Sequence, residues 1–584
     1  MNTLDSRELG FAAIRQNSKW RCFSKPEIVL STYTCKEIIP ILNQVEEFVT
    51  KGKYAVGFVG YEAAQAFDSA FVTLNGTDEF PLVWFGIYSR MDTRSELPSQ
   101  LSNDLYISDW SASISRKHYR SNIERIKREI ESGNIYQINY SFRQHAKYSG
   151  DPYNAFTAFT DQHSTPYAAF INTGLFKVAS LSPELFFSLD GSHITCRPMK
   201  GTAARGKTLS EDKNQIERLL SSSKDQAENL MIVDMIRNDL GRIAEPGSVT
   251  VDDLFTLETY ETLFQMTTNV SAQTQASFCD IFKALFPSAS ITGAPKIQTM
   301  KLIHELETDA RDIYTGSIGY FAPNRQCQFN VAIRTLTIDS KERKLTYGTG
   351  SGVVWDSQAD QEFAECQTKT KIVRKSAKPF DLFETMRWCP SDGFALLDYH
   401  LRRLEKSAKH FLFQYDSQAI RRELDSFVAT LDPTPKVIRL LLNKRGAIRI
   451  ESKQLINKDV YRLTLATRPI DSGEVFLYHK TTRRETYDHH LQEHPEFDDV
   501  LLFNNKRELT ESCIANIVVV KNGSHYTPPI ECGLLGGTYR QRLLDERKLE
   551  ERIIPLDSLK TYDELYLLNS VRGRLNVSLE QQLP

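Results

Sequence analysis

The sequence predicts an α+β chain of two domains, and three observations carry that expectation. Its 584 residues exceed the roughly 250–300 residues at which one hydrophobic core stops growing. Strand-like and helical stretches are mixed without strict βαβ alternation, which favours α+β over a doubly wound sheet. One seam stands out, KTKIVRKSAKPF (369–380), where a helical pattern ends in a basic stretch and Pro379. The boundary is expected at about residue 375, giving domains 1–375 and 376–584.

In the first domain, strand-like runs include YAVGFVGYE, HITCRPM, TGSIGYF, QFNVAIRTLTI and KLTYGTGSGVV. Between them, 118–134 carries Ile123, Ile126 and Ile130 at helical spacing and stops at Gly133-Asn134. A second helix is expected over 224–241, stopped at Gly241. A third starts at 293–307, with Pro295 in the first turn and Ile297, Met300, Ile303 and Leu306 on one face. The fourth, 357–373, sets Phe363, Cys366, Thr370 and Val373 on one stripe and Glu362, Glu365 and Lys369 on another. The run 54–68 reads as a strand leading into a helix. The second domain opens with an extended FDLFETMRW and a helix with Leu397, Leu401, Leu404, Ala408 and Phe411 on one face. The strands VIRLLLN, YRLTLATR, DDVLLFN and NIVVV follow, then a terminal helix after LLGGTYRQRLL.

Composition removes several functions. With 72 Lys+Arg against 74 Asp+Glu, net −2, there is no broad basic field for nucleic acid. No run approaches the roughly 18 apolar residues of a membrane span. The opening MNTLDSRELGFAAIRQ has no basic segment followed by an apolar core. Nine cysteines without a CxxC pair read as reduced thiols. A folded, soluble, cytoplasmic protein is expected.

Some residues suggest chemistry individually. Glu184 sits in a Pro183 turn entering a strand, while Glu228 and Glu365 lie on helices; separated glutamates on rigid elements suit a hard divalent cation. Taken singly, each is better explained as a solvated helix face, and spacing alone does not overturn that. Lys200, in CRPMKGTAARG, lies where Gly201 permits close approach, with Arg197 and Arg205 flanking it. A lysine becomes nucleophilic when desolvation or a neighbouring cation lowers its pKa. Thr292 and Gly293 precede a helix N-terminus, where anions bind. In the second domain, Lys480 ends the apolar run VFLY as a strand-end lysine, and Glu511 lies at a strand–turn junction. A Schiff-base lysine with a carboxylate for a pyridinium nitrogen is what pyridoxal phosphate requires. Arg403 and the Gly536-Gly537-Thr538 turn could receive its phosphate.

Taken in order, GNIYQINYS (133–141), LSPELF (181–186), RPMKGT (197–202), AENLMIVDMIRNDLGR (227–242), SITGAPK (290–296), FNVAIRT (329–335), GTGSGVVWDS (348–357) and EFAE…K (362–369) resemble the chorismate-utilising enzymes. The resemblance covers most of residues 1–373 and implies a large α/β sandwich. It implies that Glu228 and Glu365, with Glu362, hold Mg²⁺ against the ring carboxylate of chorismate. Glu184 is then the acid that protonates the departing 4-hydroxyl. Gly201, Thr202, Tyr314, Arg334, Gly350, Gly352 and Lys369 bind the substrate. Gln137 stands where water-using members carry a lysine base, so ammonia is the implied nucleophile. Lys200 stands where anthranilate synthases have alanine, which points to the branch aminating chorismate at C4 through a covalent lysine step. Gln265 occupies a position where many relatives have histidine, and it receives no catalytic role.

FETMR (383–387), HLRRL (400–404), HKTTRR, DDVLL, E-x-C-x-x-N-I (511–517), PPIECGLLGGTYR (528–540) and NSVRG (569–573) resemble the class IV aminotransferase group. That implies a smaller two-subdomain pyridoxal phosphate fold with Lys480, Glu511, Asn516, Arg403, Gly537 and Thr538 on the cofactor, and commonly a homodimer. Fusion to an aminating domain implies a lyase step giving 4-aminobenzoate for folate. No cysteine lies in a GxCxG context, so nitrogen must come as free ammonia or from a separate glutamine amidotransferase subunit. Two rivals are weighed: an anthranilate synthase fused to an unrelated aminotransferase, and a catalytically dead metabolite sensor or scaffold.

Overall fold

The computed structural model describes residues 5–76, 80–97, 105–162, 165–370, 373, 379–456 and 458–580. The expected boundary at 375 lies outside these. By its contacts the chain divides into one unit of Met1–Ala203 with Arg218–Ala377 and another of Ala204–Glu217 with Lys378–Pro584. A short segment from the middle of the first sequence domain therefore belongs structurally to the second unit.

In the first unit, strands form one eleven-stranded and one ten-stranded sheet. Ala12, Ile14, Ala169 and Ile171 of the first sheet share a core with Val56, Phe58, Ile318 and Tyr320 of the second, so the two sheets pack face to face. The outer faces are covered by helices. Cys35–Thr50, Ser223–Gly241 and Phe278–Leu285 bury Leu42, Ile232 and Phe282 against the second sheet. Arg116–Glu131, Lys296–Leu306 and Ala359–Lys369 bury Ile123, Ile303 and Cys366 beside Ile138 and Val353 of the first. The unit is the expected sandwich.

Local chemistry accounts for these helices. Ser115 and Ser222 cap theirs by accepting from the backbone N–H of His118 and Asp225. The third helix starts later than expected. Pro295 is its N-cap, because Gly293 and Ala294 pair with Ile138 and Gln137 as a short strand instead. Tyr54–Val59 is a strand as expected, followed by a 3₁₀ turn over Tyr61–Ala66.

The second unit has two subdomains. Leu382–Cys389 lies in a four-stranded antiparallel sheet covered by the helices Leu397–Phe411 and Ser417–Val428. An eight-stranded mixed sheet carries Asp499–Phe503, Leu509–Ser512 and Asn516–Lys521. Two expectations are corrected here. The helix Thr538–Asp545 is not terminal, because the strands Glu564–Asn569 and Gly573–Leu579 follow it. The apolar run before Lys480 is a 3₁₀ turn, Val475–Tyr478, rather than a strand. Its apolar residues fill a core from a turn, which periodicity over four residues cannot distinguish from a strand. Among the described residues no helix is long and apolar enough to cross a membrane.

Candidate active sites

In the first unit the site forms where the strand Lys344–Val353 runs beside Gln137–Ser149, in a register that sets Gly350 opposite Ser141 and Gly352 opposite Asn139. Lys200, on the strand Met199–Ala204, turns inward. Its Nζ lies 3.1 Å from Glu228 Oε2, with both side chains about four-fifths covered. A Cβ added at Gly352 would stand 2.9 Å from that Nζ and 3.2 Å from Gln137 Nε2, so glycine keeps the space open. Gln137 is buried, and its Oε1 has no hydrogen-bond partner among the described residues. An unsatisfied buried carbonyl is costly unless a ligand completes it.

The Lys200 loop is held by residues whose sequence positions did not suggest it. Gln265 accepts from Thr202 Oγ1 at 2.9 Å and donates to the Gly201 carbonyl at 2.9 Å. Asn229 donates to the Lys200 carbonyl and accepts from Thr268. Gln265, which received no catalytic role, is therefore a support of the backbone beside Lys200.

Glu184 is buried, and burial pushes its carboxyl up to about 7. Ser290 Oγ donates to Glu184 Oε1 at 2.6 Å, and Ser288 Oγ lies 3.0 Å from Ser290 Oγ. A carboxyl that retains its proton near neutrality suits general-acid work. On the helix Ala359–Lys369, Lys369 donates to the Gly350 carbonyl at 2.8 Å and pairs with Glu365 at 2.8 Å. Burial opposes its charge, but Glu365 raises its pKa. Tyr314 is buried, with Arg143 over its ring at 5.0 Å. Arg334 has a φ of 51°, and its charge reaches Tyr347, whose hydroxyl donates to the Lys369 carbonyl.

Two sequence readings need adjustment. The arginines beside Lys200 are engaged elsewhere, Arg197 with Glu258 at 2.8 Å and Arg205 with Asp212. Neither acts as a bare cation on the amine. Glu228, Glu362 and Glu365 do not form a ready-made cage either. Among the described residues no three His, Cys, Asp or Glu side chains are grouped to hold a metal, and lysines engage Glu228 and Glu365.

In the second unit Lys480 opens into a cavity of about 480 Å³. Burial and the nearby Arg403 lower its pKa to about 7, and its Nζ lies 4.8 Å from the Phe383 ring centroid. Glu511 is buried and pushed up to about 7. It accepts from Tyr487 Oη (2.8 Å), Leu535 N (3.0 Å) and Asn516 Nδ2 (3.1 Å). Asn516 also donates to the Leu535 carbonyl at 2.8 Å, so it joins the carboxylate to the glycine turn. A Cβ at Gly537 would fall 1.8 Å from Asn516 Oδ1, and only glycine fits this cradle at the start of Thr538–Asp545.

Arg403 lines the cavity and forks onto Glu384, with Nε to Oε1 at 2.8 Å. Glu384 also accepts from His400 Nδ1 at 2.6 Å, while His400 Nε2 lies 3.3 Å from Thr538 Oγ1. Burial would raise the Glu384 carboxyl, but Arg403 and His400 hold it at about 2. Sequence reasoning missed Glu384 and His400. Both lie in quoted motifs, but nothing local marks them as a buried pair. A lysine of lowered basicity, a buried acid on the wall of the same cavity and a glycine cradle with Arg403 and Thr538 fit pyridoxal phosphate.

A family model described as chorismate binding enzyme matches residues 7–375, and one described as amino-transferase class IV matches residues 381–579. The chain is 39% identical over 270 residues to aminodeoxychorismate synthase component 1 of Escherichia coli (strain K12), covering 46% of this chain and 59% of that protein. It is 33% identical over 270 residues to anthranilate synthase component 1 of Aquifex aeolicus (strain VF5), covering 46% and 54%. The match thus spans less than two-thirds of each curated relative. The crystal structure of anthranilate synthase component I from Streptococcus pneumoniae TIGR4 superposes with a TM-score of 0.52 at 24% identity, over 62% of this chain and 90% of that one. That likeness shows the fold of the first part.

Proposed function

This chain belongs to the chorismate-binding enzyme family and carries a class IV aminotransferase part behind it, and from that premise we propose that it converts chorismate and ammonia to 4-amino-4-deoxychorismate and then to 4-aminobenzoate and pyruvate. The observation that supports this reading is the inward Lys200, beside Glu228, Gly352 and the unsatisfied Gln137.

As the free amine, Lys200 Nζ attacks C2 of chorismate as the 4-hydroxyl departs with the proton of Glu184, giving water. Ammonia then adds at C4 and displaces the lysine as its free amine, and the surplus proton on the new C4 nitrogen returns to Glu184. Two covalent steps replace one hard allylic substitution. Lys369 and Arg334 hold the substrate carboxylates, and Gln137 accepts a hydrogen bond from the incoming nitrogen. For Mg²⁺ the donor set fits as a contribution of one or two carboxylates, Glu228 and Glu365. Water and substrate oxygens complete such a site, and Glu362 stands a turn away. Ammonia comes from a separate glutamine amidotransferase.

Pyridoxal phosphate, when bound, would supply an electron sink at the reacting carbon. Lys480 would remove the C4 proton, Glu511 would hold the pyridinium nitrogen, and Arg403 with Gly537 and Thr538 would receive the phosphate. Loss of pyruvate aromatises the ring, which drives the step.

The test is product analysis with chorismate, Mg²⁺, an ammonium salt and pyridoxal phosphate. The expected product is 4-aminobenzoate, whereas anthranilate would establish the rival synthase. Lys480→Ala should let 4-amino-4-deoxychorismate accumulate, and Lys200→Ala should stop amination while leaving the visible absorbance of the bound cofactor unchanged.

A further inference from the structure

Residues 204–217 lie in the middle of the chorismate-binding match, yet they pack within the second unit. They do so through buried polar groups. Arg205 Nε lies 3.0 and 3.1 Å from the two Asp212 oxygens, and Arg205 Nη2 donates to the His410 carbonyl at 2.8 Å. Asp212 also lies 3.2 Å from His410 Nδ1 and accepts from Gly206 N at 2.8 Å. The Arg205, Asp212 and His410 side chains are 6%, 5% and 4% exposed. Burial would raise the Asp212 carboxyl, but the hydrogen bonds from His410 and Arg205 hold it at about 2.

This clasp leads to the cofactor lysine. His410 stacks on His479, with centroids 4.5 Å apart and planes 24° apart. Burial, with His410 next to it, lowers the His479 pKa to about 3, so its ring is neutral. Nε2–H then donates to the Lys207 carbonyl at 3.0 Å, and Nδ1 accepts from Ser407 Oγ at 2.9 Å. Two opposed hydrogen bonds fix the ring plane. His479 lines the cavity and immediately precedes Lys480, whose own carbonyl accepts from Phe383 N at 3.0 Å. The lysine backbone is thus held from both sides, by a strand after it and by the clasp before it.

We propose that His479 is a positioning residue for Lys480, and that the segment Ala204–Glu217 which grips it is a built part of the pyridoxal phosphate site. The proposal rests on the cofactor binding at Lys480, and it is independent of the substrate. A lysine that must meet an aldehyde and later move a proton needs its stem aimed within fractions of an ångström. A class IV part without the segment lacks the Lys207 carbonyl that sets this aim.

The test uses the full chain with pyridoxal phosphate alone. Gly206→Ala perturbs the clasp from outside the cavity, because its Cβ would fall 2.4 Å from Glu211 Cβ and 2.8 Å from Asp212 N. His479→Phe keeps a ring but removes both hydrogen bonds. Each should weaken cofactor binding about ten-fold, roughly the loss of one well-made hydrogen bond, and displace the pH midpoint of the visible band. His479→Gln, which retains a donor and an acceptor, should recover part of both effects. Should Gly206→Ala not fold, His479→Phe decides alone. Variants that lose only thermal stability, with cofactor affinity and band midpoint as in the wild type, overturn the proposal. A wild type that forms no visible band overturns the cofactor reading itself, and this inference with it.

Discussion

The lowered basicity of Lys480 gives a direct kinetic prediction. Only the neutral amine attacks the aldehyde of pyridoxal phosphate. At pH 8 an amine of pKa about 7 is roughly nine-tenths neutral, whereas a lysine near 10.4 is about 0.4% neutral. The cofactor-free chain should therefore capture pyridoxal phosphate at pH 8 more than about 200-fold faster than an ordinary lysine of equal reactivity, before any gain from positioning. The assay is stopped-flow visible absorbance from pH 5 to 10. The rate of Nα-acetyl-lysine run in parallel, expressed per neutral ε-amine, removes the cofactor's own ionisations. The corrected rate should rise ten-fold per pH unit below the midpoint and level off above it. Glu511 also titrates at about 7, so the two midpoints belong to the pair. Glu511→Gln separates them, because removing a charge that raises the Lys480 pKa moves the rate midpoint down. A corrected rate still climbing ten-fold per unit from pH 8 to 10 would refute the buried, desolvated lysine.

Other outcomes follow from single contacts. Ser290→Ala removes the hydrogen bond that holds the Glu184 pKa down; since the acid acts protonated, the alkaline limb of kcat/KM for amination should move up by about one unit, and Ser290→Thr should restore it. Gly352→Ala puts a Cβ 2.9 Å from Lys200 Nζ, so the amine must shift and amination should fall by up to about 100-fold while circular dichroism and the visible absorbance of the bound cofactor stay unchanged. Glu384→Gln leaves Arg403 without its buried partner and should cost about 3–5 kcal/mol by denaturant titration. The Glu384 carboxyl falls from an ordinary 4.5 to about 2. The stability it adds is complete above its unfolded value and lost as pH falls through about 2, an acid sensitivity that the glutamine variant should lack.

Much of the fold was legible from periodicity. The helices Arg116–Glu131 and Ser223–Gly241 match the expected stretches to within a few residues, because a stripe at helical spacing and a serine cap act locally. The turn before Lys480 was misread because four apolar residues have no distinguishing period. In the candidate sites, the residues with chemistry of their own, Lys200, Glu184, Lys480 and Glu511, were visible, whereas their supports were not. Gln265, Ser290, Tyr487 and His400 are ordinary polar residues whose partners lie 63, 106, 24 and 16 residues away.

The sequence alone thus named the candidates to attack, donate a proton or carry a cofactor, since that capacity belongs to the side chain and the order of the motifs singled these residues out. Tertiary structure decided their charge partners and surroundings. It gave Lys200 to Glu228, drew Arg197 and Arg205 away from it, and placed residues 204–217 beside His479. The physical reason is that burial and long-range pairing set a side chain's electrostatics, and neither is encoded within the few residues that surround it.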